Sequence, residues 1–322
     1  MLNPRGKSYF RAAELREILD AAGANPVDPA CFEEYRNFYS LNFDGLLASH
    51  HAYSETVEGE RIAVQWFVPV NPRAIIFFSH GYYDHVGLFG HLFEYALARN
   101  IAIFAFDQIG HGLSTGTPAT IRSFDRYVRV IHALEQTSLP KLKTALGGDV
   151  DLPVHFVGQS MGGALTMEFF HQYPHTDHGE IVLFAPLVRP YAWPLNRAVY
   201  QLAKLFIEQR ARTITRNAAN EEFLHLQHND PLQADILPVV WVTAMVAWFE
   251  RFESYGQASL IPKIVQGKAD RTVSWRHNKH MLGRRYPAAK WLWIDDAGHH
   301  VLNEAEPIRE KLWRWLDDEA RW

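Results

Sequence analysis

Apolar residues along most of this chain gather in short, nearly continuous runs, separated by longer segments with helical spacing. The runs predict strands at Arg61–Val68, Ala74–Ser79, Ile101–Phe106, Val154–Val157, Ile181–Phe184, Lys263–Gln266 and Trp291–Ile294. Several are unbroken β-branched or aromatic stretches, the pattern of strands buried on both faces of a parallel sheet. Helices are expected between them over Leu88–Arg99, Ser123–Glu135 and Met161–Gln172. Strand and helix alternating at these lengths predict an α/β fold built on a mostly parallel, doubly wound sheet.

Two regions depart from the rhythm. Residues 1–48 read as an N-terminal helical extension, with helical spacing over Ala12–Leu19 and Gly23 and Pro26 to end it. No chemistry is evident there. Between Pro186 and Pro262 no strand is expected, and the segment is rich in aromatic and aliphatic residues. Trp241, Met245, Trp248, Phe249 and Phe252 recur at spacings of three and four, marking one face of a helix. The stretch 187–261 therefore reads as a helical cap inserted between two late strands of a core made from 49–186 and 262–322. The last segment, Glu306–Trp322, reads as an amphipathic helix with Pro307 suited to its first turn.

Composition narrows the function classes. A chain of 322 residues, 48% hydrophobic, has room for one large core and a modest insert. Acidic side chains outnumber basic ones, 36 to 32, and no basic patch stands out, so no nucleic-acid partner is expected. The 17 histidines fall in no HExxH or CxxC spacing, so no metal is expected. Cys31 is the single cysteine, which excludes an intrachain disulfide and fits a reducing compartment. Met1–Asp20 mixes charges throughout and lacks the apolar core of a signal peptide. No run reaches the roughly 18–20 apolar residues that span a bilayer. A soluble, cytoplasmic protein is the expectation, with lipid surfaces as candidate partners through the cap.

The chemistry concentrates at Val154–Gly163, which reads strand, then Gly158-Gln159-Ser160-Met161-Gly162, then helix. That is the setting a nucleophilic serine on a sharp strand-to-helix turn requires. Glycines on either side leave room for close backbone approach, and the helix amino end favours developing negative charge. A serine hydroxyl needs a base to take its proton, and the base needs an acid to orient it. Asp270, directly after the strand at Lys263–Gln266, is the candidate acid; Asp295 and Asp296 rank below it because they adjoin the histidine on a strand end. The candidate base is His299, which follows the small pair Ala297-Gly298 after the last strand, with His300 as the competing choice. An oxyanion hole needs two backbone donors. Met161 should supply one and Tyr82, in the loop after Ala74–Ser79, the other. His80 and the Asp107–Ser114 stretch read as structural.

These pieces resemble the α/β-hydrolase superfamily, and more narrowly the branch holding bacterial lysophospholipases, monoacylglycerol lipases and related serine hydrolases. The resemblance rests on His80-Gly81, the glycines and His111 of Asp107–Ser114, Gly158–Gly163, Gly267 with Asp270, and Gly298-His299 with Leu302-Asn303-Glu304. It runs from about residue 50 to the end, and the Asn229–Gln233 run in the cap adds to it. In that branch the histidine lies five positions before the closing glutamate, which selects His299. The resemblance implies an α/β-hydrolase fold and cofactor-free hydrolysis through an acyl-enzyme, with the cap setting substrate choice. A carboxylic ester with an apolar acyl chain, such as a lysophospholipid or monoacylglycerol, is the expected substrate. The alternatives are an aminopeptidase, with Glu208, Glu221 and Glu222 in the cap available for a free amine, and a non-catalytic binding module.

Overall fold

The computed structural model describes residues 10–148, 152–213, 216–320 and 322. The start of the N-terminal extension, residues 1–9, lies outside them. Helices α1 (Ala12–Ala22) and α2 (Glu33–Tyr39) precede an antiparallel hairpin, β1 (Ser49–Val57) and β2 (Glu60–Val68). The α/β rhythm then runs β3 (Ala74–Ser79), α3 (Gly90–Leu97), β4 (Ile101–Phe106), α4 (Phe124–Ala145), β5 (Val154–Gln159), α5 (Met161–Gln172) and β6 (Ile181–Phe184). Next come α6 (Trp193–Ala203), β7 (Gln209–Ala211), α7 (Glu221–His228), β8 (Ile236–Pro238) and α8 (Val239–Glu253). The chain returns through β9 (Lys263–Gly267), α9 (Trp275–Arg285), β10 (Lys290–Ile294) and α10 (Glu306–Glu319).

Eight strands form one sheet in the order β1-β2-β4-β3-β5-β6-β9-β10. From β4 to β10 every neighbouring pair is parallel; β1 and β2 join antiparallel at one edge. Every residue of β3, β4, β5, β6 and β9 is buried, which explains their unbroken apolar runs. The six parallel strands β3, β4, β5, β6, β9 and β10 present their carboxyl ends on one side of the sheet, where ligands bind in open α/β folds.

Because β6 pairs directly with β9, the intervening chain leaves the sheet and returns beside its point of departure. The sequence pattern predicts a purely helical insert here, and the structure corrects this: β7 and β8 form a two-stranded antiparallel ribbon. Strands of three residues are too short to carry an alternating pattern, so this ribbon has no sequence signal. Helix α8 buries Trp241, Met245, Trp248, Phe249 and Phe252, the face its spacing marks. That face packs on the sheet's own helices. Trp248 stacks on Phe124 of α4 and donates from Nε1 to Glu168 of α5 (3.0 Å), while Arg251 reaches both Asp125 and Glu168. Helix α6 is the opposite case: Leu195, Val199 and Leu202 along it, and Phe206 just past its end, are 65–81% exposed.

Candidate active site

Ser160 stands between the end of β5 and the start of α5 with φ +53° and ψ −113°, outside the region L-residues favour. A conformation this costly persists only where its surroundings enforce it. Two glycines allow the packing. A side chain at Gly162 would strike the Ser79 carbonyl, and one at Gly158 would meet the Gly162 carbonyl at 2.5 Å. The Ser160 amide donates to Phe184 O (2.9 Å), and its carbonyl accepts from Leu187 N (2.9 Å), so β6 and the chain beyond it hold the turn.

His299 reaches this serine from the loop after β10. Its Nε2 lies 2.8 Å from Ser160 Oγ and its Nδ1 2.8 Å from Asp270 Oδ2. With the carboxylate accepting from Nδ1–H, Nε2 is left to accept the serine proton. The three groups, separate in sequence, are all buried. Asp270 follows β9 and is itself pinned: Oδ1 accepts from the amides of Thr272 (2.7 Å) and Val273 (3.0 Å), and Oδ2 from Gln266 Nε2 (3.0 Å). Burial pushes this carboxyl up, but His299 and the two amides outweigh it and hold it below the usual carboxylate range. For His299, burial disfavours the proton, yet Asp270 and the nearby Asp84 leave the imidazole above its ordinary value.

The histidine loop is fastened from two sides. Both His299 N (2.8 Å) and His300 N (3.0 Å) donate to Asn217 O, which belongs to the stretch between β6 and β9. Glu304 accepts from Gly298 N (2.6 Å) and Ala219 N (2.7 Å), so the closing glutamate ties the same two segments together. His300 turns elsewhere, with Nε2 3.5 Å from Asp84 Oδ1 and its ring against Phe223. Asp295 pairs with Lys268 at the surface.

The loop after β3 passes over the serine so closely that a side chain at Gly81 would sit 3.2 Å from Ser160 Cβ. His80 sets the loop's orientation. Its Nε2 accepts from Gln108 N (2.8 Å), so Nδ1 carries the hydrogen and donates to Gly81 O (2.7 Å). In a trans peptide the N–H points opposite to the C=O, so fixing Gly81 O fixes the direction of the Tyr82 N–H. The Tyr82 side chain is held away, stacked on Trp241 at 3.5 Å and donating to Ala119 O (2.8 Å). Met161 N opens helix α5 next to the serine. Asp107 plays the structural part its motif suggests, accepting from Val86 N (2.8 Å) and Leu113 N (2.7 Å).

The profile of the family described as serine aminopeptidase, S33 matches residues 70–306. The chain belongs to this family of α/β-hydrolases. Within it the chain lies in the monoacylglycerol-lipase-like branch. It is 30% identical over 264 residues to human monoglyceride lipase, covering 78% of this chain and 83% of the relative. It is 28% identical over 283 residues to the monoacylglycerol lipase of Mycolicibacterium smegmatis, covering 85% and 96%. The fold matches that of a soluble variant of monoglyceride lipase from Saccharomyces cerevisiae with a TM-score of 0.71 at 14% identity, over 85% of this chain and 96% of that one. The family makes the protein a serine hydrolase of the lipase and esterase type. Among the described residues, no three His, Cys, Asp or Glu side chains gather as metal ligands, and no helix is long and apolar enough to cross a membrane.

Sequence reading missed several groups around the site. Gln266, Asn217 and Asp84 sit in no motif and reach it only through tertiary contact. Asp84 is the most consequential, a fully buried carboxyl that burial raises to about 7, beside both loop histidines.

Proposed function

We propose that the protein hydrolyses carboxylic esters bearing an apolar acyl chain, with monoacylglycerols as the first substrate class and lysophospholipids as the second. The observation that carries the reading is the continuous hydrogen-bonded line from Asp270 through His299 to Ser160 Oγ. In this reading Ser160 Oγ attacks the ester carbonyl carbon as His299 Nε2 takes its proton. The amides of Tyr82 and Met161 stabilise the oxyanion. The intermediate collapses to an acyl-enzyme, and His299 gives its proton to the departing alcohol. Water then attacks the acyl carbon, its proton passing to His299; the acid leaves and Ser160 recovers its hydrogen. Asp270 holds the ring and stabilises its charged form throughout. No cofactor enters these steps.

The stretch 187–261 serves as the cap and 1–48 as an extension of the core formed by 49–186 and 262–322. The cap has two halves with different work. Helix α8 is bolted to α4 and α5 and places Trp241 against Tyr82 of the loop after β3. Helix α6 and the turn after it carry the exposed row Leu195, Val199, Leu202 and Phe206 with Arg197 and Lys204 nearby, a surface suited to peripheral contact with lipid. The single cysteine fits work in the cytoplasm. The aminopeptidase reading has less support, since Glu208, Glu221 and Glu222 are all exposed and Glu221 pairs with Arg216. A non-catalytic role would leave the complete Ser160–His299–Asp270 line without a use.

A turnover panel of monoacylglycerols, lysophospholipids, short p-nitrophenyl esters and aminoacyl arylamides tests the assignment. The expected result is kcat/KM highest for monoacylglycerols and absent for arylamides. Cleavage of arylamides alone would overturn it.

A further inference from the structure

The stretch that matches the family begins at residue 70, yet the segment before β1 reaches into the loops around the serine. Helix α2 buries Tyr35, Phe38 and Tyr39. The Tyr39 hydroxyl donates to Asp230 Oδ1 at 2.7 Å. Asp230 comes from the cap, in the Asn229–Gln233 run, and its Oδ2 accepts from His85 Nε2 at 2.7 Å. His85 Nδ1 in turn accepts from Gly87 N (3.1 Å), which fixes the ring as the Nε2–H tautomer. Three distant parts of the chain therefore meet in one buried hydrogen-bonded chain, and His85 stands three residues after Tyr82.

Other contacts run in parallel. The Tyr39 ring lies edge-on to His85 at 4.9 Å, and a side chain at Gly87 would come within 2.7 Å of it. From α1, Arg16 donates to Gly112 O (2.6 Å) in the turn whose Asp107 carboxylate holds Val86 N. The loop after β3 is thus gripped at His85, Val86 and Gly87 by the N-terminal segment or groups it contacts. Donors in an oxyanion hole must be held to within about 0.5 Å, and loops reach that precision only when neighbouring groups lock them.

We infer that the segment ahead of β1 is a working part of the site, with Tyr39 a positioning residue that acts through Asp230 and His85 on the loop carrying the Tyr82 amide. This rests on the oxyanion role given to Tyr82 above. Asp230 is buried and its carboxylate takes three hydrogen bonds, from Tyr39 Oη, His85 Nε2 and Leu232 N (2.9 Å). Removing one leaves the others strained or unpaired, and the loop is where the slack appears.

The test measures kcat and KM for a short soluble p-nitrophenyl ester, with unfolding midpoints recorded in parallel, for Tyr39→Phe, Asp230→Asn and their combination. Tyr95→Phe is the control: it removes a hydroxyl of the same kind, donating to Asp317 (2.8 Å), away from the site. Tyr39→Phe should lower kcat about 3- to 10-fold and Asp230→Asn about 10- to 100-fold, with KM nearly unchanged. The double variant should be no worse than Asp230→Asn. Tyr95→Phe should lower the midpoint and leave kcat alone. Wild-type kcat in both Tyr39→Phe and Asp230→Asn, with only the midpoint lowered, would overturn the inference. Loss of turnover in Ser160→Ala, measured alongside, separates that failure from failure of the hydrolase mechanism itself.

Discussion

Among the described residues, two buried Asp–His pairs are closed by a short hydrogen bond in the loops around Ser160, and only one of them faces the serine hydroxyl. Asp270–His299 and Asp230–His85 have nearly the same separation, 2.8 and 2.7 Å, and each carboxylate is further held by main-chain amides or an amide. Their tautomers are opposite. His299 gives Nδ1–H to its aspartate and turns Nε2 to Ser160 Oγ, whereas His85 gives Nε2–H and spends Nδ1 on Gly87 N. A carboxylate–imidazole pair is therefore not a general base by itself. What the second ring nitrogen accepts from decides the matter: a strained serine hydroxyl makes chemistry, a backbone amide makes architecture.

The largest contrast between the two pairs should come from removing the groups of the Ser160–His299–Asp270 line, which the proposed mechanism makes catalytic. Ser160→Ala and His299→Ala should each lower kcat by about 10⁶-fold, and the pair together should cost little more, as expected of residues that act as a unit. Comparable loss in His300→Ala, read in the same assay, would contradict the assignment; that substitution should stay within about tenfold, since His300 contacts Asp84 and Phe223 instead of the serine. Asp270→Asn should lower kcat by about 10⁴-fold, because the ring loses the partner that sets its tautomer.

Asp84 sharpens the comparison through pH. In the proposed mechanism His299 acts as a base only when neutral, and its pKa lies above the ordinary histidine value, so kcat/KM should fall as pH drops through that raised pKa. The Asp84 carboxylate is one of the groups raising it. Asp84→Asn should move the acid limb to lower pH, and a limb that stays in place would show the field at His299 to be set by Asp270 alone. The smallest effect on hydrolysis is expected from α6. Leu202→Ser with Phe206→Ser should leave kcat on soluble esters unchanged but weaken sedimentation with lipid vesicles by about tenfold or more, given roughly 1.5–3 kcal/mol per large apolar side chain buried.

The parallel part of the sheet was readable from sequence because its central strands are buried on both faces, and Ala74–Ser79, Ile101–Phe106 and Ile181–Phe184 begin and end where their apolar runs do. The edge strand β1, Ser49–Val57, is half polar and carries no such run, and the pattern did not predict it. Ser160, Asp270 and His299, which the structure brings into contact, stood out in the sequence because each follows a strand in a local pattern suited to a nucleophile, an acid or a base. Asp230–His85 had no such pattern. Its members lie 145 residues apart, and Tyr39 a further 46 before His85, so only the folded chain brings them together. The aromatic face of α8 was legible as a helix face, but periodicity cannot say which wall a face meets; here it meets α4 and α5. The exposed row on α6 is the apolar surface that sequence pattern alone could not separate from core.

Covalent labelling by a fluorophosphonate tests the central claim most directly, because it reports an activated serine without assuming a substrate. Stoichiometric modification located at Ser160 by peptide mass spectrometry is expected, slowed by several orders of magnitude in His299→Ala and little changed in His300→Ala. Labelling at another serine, or undiminished labelling in Ser160→Ala, would contradict it.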